Sequence, residues 1–202
     1  MKKIVLVSLL IASLFAAKKS DQAKIISSDI QTTIVEFNLD DFDLVTVHTT
    51  NGIMQLARFK NGASILKKGA PDIHKFSRSI IIPDNGNMNI SIINAEYEEV
   101  QNIKIAPSKC NLTRDVNPAS IPYTFGKVYK KDKFYPGNLA ELDDPYILRD
   151  FRGQVLQINP FQYRPLSKKL LVYNYILVKV EFDGQNFINA YNNNRRINSN
   201  NI

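Results

Sequence analysis

The sequence predicts an all-β chain, an antiparallel β-sandwich with a long ordered loop region. Three observations lead there. From Thr32 onward, apolar and β-branched residues alternate with polar ones in short runs, the period of strands that bury one face. Gly, Pro, Asn or Asp bounds each run at the spacing of a sandwich. No segment holds a helical period for more than a turn or two. With 202 residues, 44% of them hydrophobic and 22% charged, the chain has apolar material for one core in a single domain.

The beginning reads as a leader. Met1-Lys2-Lys3 is a charged head, and Ile4 to Ala17 is an apolar run closing on Ala16-Ala17 before Lys18-Lys19. That is too short for a bilayer span and has the layout of a secretory signal peptide. The expected organisation is a signal peptide over 1–17, an N-terminal lead over 18–31, the β-sandwich over 32–184 and an Asn-rich flexible tail over 185–202. The expected location is secreted, periplasmic or cell-surface, with no stable membrane anchor.

The strand-like runs follow in order: TTIVEFNL (32–39), DLVTVHT (43–49), IMQLARF (53–59), RSIIIP (78–83), NMNISIINA (87–95), VQNIKIA (100–106), GQVLQINPFQY (153–163) and KLLVYNYILVKVEF (169–182). In the last, Ile176, Val178, Val180 and Phe182 share one face, while Leu177, Lys179 and Glu181 share the other. Asn51-Gly52 signals a hairpin, Asn85-Gly86 a second, and Arg164-Pro165-Leu166-Ser167 a turn between the two strongest strands. Asn159-Pro160 marks an edge or bulge, because proline withholds a ladder donor.

Residues 106–148 depart from this pattern. They are rich in Pro, Asn, Asp and aromatics, with one short strand expected around Tyr123 to Tyr129; loops this long are functional or disordered. Tyr123, Phe125, Tyr129, Phe134 and Tyr135 favour an ordered loop packed on the sandwich. Beyond Gly184 the Asn-rich, apolar-poor tail predicts mobility.

Composition excludes several functions. The net charge of +7 includes Lys2 and Lys3 of the leader, and the other basic pairs sit at turns without an aromatic-basic stripe, so no nucleic-acid partner is expected. One cysteine forms no internal disulfide. His48, His74 and Cys110 lack metal-ligand spacing, and Asp40-Asp41-Asp43 lacks the glycine and terminal glutamate of a calcium loop, so neither metal nor cofactor is expected. Cys110 would need an adjacent base to act as a nucleophile; as a small, half-buried apolar residue it needs none. Arg114, in a proline-bounded loop, has two open readings: a solvated charge, or a guanidinium presented to a partner's carboxylate pocket. A secreted adhesin or carbohydrate-binding module is the alternative function, with Tyr163, Tyr173 and Tyr175 as its exposed aromatic ridge.

Two stretches carry a resemblance. IAPSKCNLTRDVNPASIPYTFGKVYKKDKFYPG (105–137) and DDPYILRDFRGQVLQINPFQYRPLSKKLLVYNYILVKVEF (143–182) closely resemble the N-terminal propeptide of gingipain-type secreted cysteine peptidases. KKGAPDIHKFSRSIIIPD (67–84) is similar to that family's Gly-x-Pro segment and first long strand. The match runs from roughly Gly69 to Phe182, more weakly back to about Thr32. The resemblance implies a β-sandwich prodomain that assists folding of a caspase-like cysteine peptidase and keeps it latent until export, so its implied partner is that catalytic domain. In arginine-specific members an arginine enters the specificity pocket from the non-productive side. The matching position in Arg-x-x-Asn-Pro-x-x-Ile-Pro is Arg114, with Asn117, Pro118, Ile121 and Pro122; lysine-specific members use lysine there, which implies an arginine-preferring target. The family's catalytic cysteine and histidine lie in a separate domain that nothing here matches, so no catalytic residue is implied, and Cys110 stands where the relative has glycine. Arg195-Arg196 resembles a shortened processing junction.

Overall fold

The computed structural model describes residues 21–184 and 188–191. The signal-peptide assignment, the junction at Arg195-Arg196 and most of the expected flexible tail lie outside the described residues.

The strands are β1 (Ala23–Ser28), β2 (Thr32–Asn38), β3 (Asp43–Thr49), β4 (Gly52–Arg58), β5 (Ala63–Ser64), β6 (His74–Ile81), β7 (Asn87–Val100), β8 (Ala140–Leu142), β9 (Tyr146–Leu148), β10 (Phe151–Ile158), β11 (Phe161–Arg164) and β12 (Lys169–Asp183). They form two five-stranded antiparallel sheets and a two-stranded hairpin. In the first sheet β12 is central: β7 pairs with it along Leu170 to Asp183, while β2 and β11 share its other edge and β1 extends β2. In the second, β10 is central, between β6 and the short strands β8 and β9.

Alternation in sequence becomes burial. Ile176, Val178 and Val180 of β12 are fully buried, as are Leu156 and Ile158 of β10. Phe37 of β2 packs at 5.3 Å on Phe76 of β6, joining the two sheets, and Phe59 meets both Phe37 and Phe161 edge-on. Each such side chain contributes about 1.5 to 3 kcal/mol relative to an exposed position. Stacked sheets with tilted aromatic pairs therefore hold the core without a disulfide.

The hairpin expected at Asn51-Gly52 forms, with Thr49 opposite Gly52, and Arg164 to Lys169 closes the β11–β12 hairpin. Asn85-Gly86 makes a corner instead of a hairpin: β6 belongs to one sheet and β7 to the other. A turn signal specifies a reversal of local geometry, while the partner of each strand is chosen by long-range packing. Asn159-Pro160 likewise carries the chain from β10 to β11, between sheets, and buried Asn159 donates to the Asn138 carbonyl at 2.9 Å.

Further differences concern individual segments. Ala23–Ser28, within the expected lead, forms β1 by pairing with β2. The alternation at 100–106 buries Ile103 and Ile105 but makes only a bridge, with Gln55 donating to Lys104 and Ala106 donating back to Gln55, each at 2.8 Å. The strand expected at Tyr123 to Tyr129 is absent; irregular chain leads to a 3-10 turn over Lys127–Lys130, and Gly126 N bonds Gly69 O where a strand would need a ladder of such bonds to a neighbouring strand. Tyr163 is 2% exposed and Tyr173 8%, their hydroxyls donating to Ile103 O and Gln162 Oε1. Two of the three tyrosines of the supposed binding ridge are therefore core residues.

Arg152 connects the body to the chain beyond Gly184. It is fully buried, and its guanidinium donates to the carbonyls of Pro83, Gly86, Ile188 and Asn189 at 2.6–2.9 Å. Burial lowers its pKa from the usual arginine value. Residues 188–191 are thus fastened rather than free, with Tyr191 N donating to Asp84 O at 2.7 Å, contrary to the expectation of a mobile tail there.

Candidate functional site

The candidate site is the loop from Ala106 to Tyr123, and its base is tied to the sandwich. Ala106 and Ser108 are buried. Asp72 N donates to Ala106 O at 2.8 Å, Ser108 N to Ala70 O at 2.7 Å and Gly69 N to Ser108 O at 3.0 Å. The return limb docks on the same segment through Gly126 N to Gly69 O, 2.9 Å. A Cβ on Gly126 would lie 2.8 Å from Gly69 O, and Gly69 has φ +75, so this backbone contact requires both glycines. The Tyr129 hydroxyl donates to Ile105 O at 2.8 Å, and burial pushes its pKa far up. The aromatics of 123–135 hold the loop's foot in the ordered arrangement expected of them.

Beside that foot, Arg58 forms a 2.9 Å ion pair with Asp72 and also donates to the Asp72 carbonyl at 3.0 Å. Tyr123 feels this pair: burial raises its hydroxyl pKa, Asp72 adds to the rise and Arg58 opposes it. The pair is largely shielded from solvent and joins β4 to the segment preceding β6, on which the loop's foot docks.

At the tip, Val116 N donates to Thr113 O at 3.1 Å, closing a turn whose two central residues are Arg114 and Asp115. Arg114 is exposed, and no hydrogen bond or ion pair engages its guanidinium among the described residues. Asp115 is held below the usual carboxylate range, chiefly by a hydrogen bond from Thr113. Asn117 then caps a 3-10 turn over Pro118–Ser120, its Oδ1 accepting from Ala119 N at 2.9 Å, with Pro118 in the first turn. This use of Asn-Pro is local: the side chain satisfies an orphan amide and proline presets φ. Ile121 is half-buried and Pro122 exposed. Arg114, Asn117, Pro118, Ile121 and Pro122 therefore lie together on one projecting loop.

Cys110 is half-buried with a free thiol and φ 74, a left-handed conformation that favours glycine. Its backbone amide donates to Ser108 Oγ at 3.2 Å. His48 is exposed on β3, while the Phe59 amide donates to His74 Nδ1 at 3.2 Å; no hydrogen bond links either ring to Cys110. Among the described residues no cluster of His, Cys, Asp or Glu is suited to a metal, and no helix is long and apolar enough to cross a membrane. A cavity of about 590 Å³ opens beside β1 and β6, lined by Ala23, Ile25, Val35, Ile80 and Leu156 among others; none of its lining residues belongs to the loop.

Sequence reasoning missed the bracing residues Lys109 and Asp72, which belong to no periodic pattern; Arg58 carried only a strand signal, and Tyr123 is one of the aromatics expected to order the loop. Gly69 and Gly126 left a faint signal, since the whole chain has only 8 glycines.

Comparison with known proteins gives this loop a context. Gingipain R2 of Porphyromonas gingivalis is 36% identical over 178 residues, 87% of this chain and 24% of that protein. Lys-gingipain of the same organism is 23% identical over 155 residues, 73% of this chain and 9% of its own length. The chain thus spans about a quarter or less of these curated relatives. The solved complex of the Porphyromonas gingivalis RgpB pro- and mature domains contains a chain with TM-score 0.79 and 38% identity, covering 83% of this chain and 90% of that one. A structure addressing zymogenic latency of gingipain K shares the fold, with TM-score 0.69 and 18% identity over 84% of this chain and 96% of its own. The family profile Propeptide_C25 matches residues 16–200, and with that coverage and identity the chain belongs to the Propeptide_C25 family.

Proposed function

We propose that this chain is an inhibitory, folding-assisting propeptide that keeps a gingipain-type cysteine endopeptidase latent, with Arg114 occupying that enzyme's specificity pocket. The observation that carries the reading is the contrast at the loop tip. The residues around Arg114 are tied to one another or to the scaffold, while its own guanidinium is exposed and has no hydrogen-bond or ion-pair partner among the described residues. A cation held outward on an ordered loop makes charge-assisted bonds to a buried carboxylate at reduced ordering cost.

In this reading the turn also supports occupancy without turnover. Arg114 and Asp115 sit inside a turn closed from Val116 to Thr113, and a peptide bond held out of reach of the attacking group is not cut. The partner in this reading is the catalytic domain of such a peptidase, reached in a secreted or cell-surface setting. An aromatic glycan-binding ridge is disfavoured by the burial of Tyr163 and Tyr173.

The test is inhibition of an arginine-specific peptidase of this type by the wild-type chain and by Arg114→Ala. Losing the charge-assisted contacts, worth about 1.5 to 3 kcal/mol, raises Ki by roughly 10- to 150-fold. Equal inhibition by the two chains would remove the plug while leaving the fold untouched.

A further inference from the structure

We infer that Lys109 is a positioning residue for the Arg114 turn, its ammonium clasping the two limbs of the loop and presetting the pose in which Arg114 meets an acidic pocket. This rests on the reading of Arg114 above and extends it to how the loop is held.

Lys109 follows Ser108, a buried residue bonded to the scaffold on both sides through Ala70 O and Gly69 N. From there Lys109 Nζ reaches across the loop to donate to Pro118 O at 2.7 Å. The same ammonium lies 4.2 Å from the centroid of the Tyr123 ring. One cation therefore joins the outgoing limb, the Asn117-capped turn and the aromatic residue of the return limb. Among the described residues, no other hydrogen bond spans the two limbs: Cys110 to Ser108, Val116 to Thr113, and Ala119 and Ser120 to Asn117 are all local.

Without the clasp, the Thr113 to Val116 turn would remain, but its direction relative to the sandwich would be set only by a flexible segment between Lys109 and Pro118. Ordering that segment then falls to the binding event and weakens association. A lysine serves because its three donors and compact charge allow an ammonium to bond a carbonyl and face a ring at once.

The test uses the full chain as wild type, Lys109→Met, Lys109→Arg, Arg114→Ala and the Lys109→Met/Arg114→Ala double variant. Each is titrated against an arginine-specific gingipain-type peptidase, with association and dissociation rates and melting temperature measured alongside. Methionine keeps the apolar stem and deletes the donor. We expect Lys109→Met to raise Ki about tenfold, mainly through slower association and with an unchanged melting temperature, and Lys109→Arg to stay within about threefold of wild type. On the Arg114→Ala background the methionine change should add less than about twofold, since nothing remains to be positioned.

In the free chain, 15N relaxation should report greater backbone motion at Thr113 to Asp115 in Lys109→Met. An unchanged Ki in Lys109→Met, unchanged loop motion, or the same tenfold loss on the Arg114→Ala background would overturn the clasp; the last outcome would mean that Lys109 touches the partner directly. Arg114→Ala inhibiting like wild type would instead remove the plug itself, so the two failures are distinguishable.

Discussion

Replacing Arg152 with methionine removes a buried guanidinium while keeping an apolar stem of similar reach. In the native protein four carbonyls, of Pro83, Gly86, Ile188 and Asn189, accept from it at 2.6–2.9 Å, and the residue has no exposed surface. A hydrogen bond from a charged donor contributes about 1.5 to 3 kcal/mol, and each orphaned buried carbonyl costs about 1 to 3. Those figures do not add, because three of the four bonds are only part-buried and water can reach their carbonyls once the segment loosens. Relief of the arginine's own desolvation offsets part of the loss. The expected cost is about 3 to 5 kcal/mol, a large share of an ordinary domain's stability. The Arg152→Lys variant, with one compact charge centre for four acceptors, should recover less than half of it. Denaturant unfolding of the full chain would read this as a lower midpoint at constant slope. Amide exchange at Tyr191, whose N–H is bonded to Asp84, should lose protection before the β12 amides do. A loss under about 1 kcal/mol, or unchanged protection at Tyr191, would refute the idea that Arg152 fastens residues 188–191.

Of two further predictions, one concerns the foot of the loop and the other His74 at the start of β6. Gly126→Ala would place a methyl 2.8 Å from the Gly69 carbonyl oxygen, a backbone atom that cannot step aside; a cost of about 1 to 3 kcal/mol and a weaker Ki are expected, checked by thermal melting and inhibition titration. His74 supplies a pH dependence. Burial lowers its pKa below 6.5 and Arg58 adds to the lowering, while donation from the ring to the Phe59 carbonyl and the nearby Asp72 oppose it. The unfolded chain therefore binds the proton more readily, so the His74 contribution is fully present above about pH 6.5 and declines as pH falls from there through the folded pKa. Stability measured from pH 7.5 to 5.5 should drop in wild type and drop less in His74→Gln; parallel curves would show that His74 is not responsible.

Part of the loop's character was legible, as a proline-bounded stretch outside the strand pattern. The capped turn at Asn117-Pro118 acts through one side-chain acceptor and one fixed φ within three residues, and it was not read from the sequence. Arg114 was legible as a candidate because the motif around it names its position. Lys109 was not: its partners, Pro118 and Tyr123, come near only when the loop folds back. Cys110 carried an ambiguous signal, since a cysteine in a polar loop could be a nucleophile or filler. Its left-handed backbone, with no histidine bonded to it, supports the second reading.

By itself the sequence determined the all-β class, the hairpin at Asn51-Gly52 and the buried face of β12, because steric preference, turn chemistry and side-chain alternation act over a few residues. Which sheet each strand joined was decided only in three dimensions: Asn85-Gly86 and Asn159-Pro160 became crossings between sheets, Ala23–Ser28 was recruited as an edge, and Arg152 was buried among carbonyls distant in sequence. Those outcomes follow from competition among surfaces for one core and among donors for a limited set of acceptors. Such competition sums over the whole chain and leaves no mark in a short window of it.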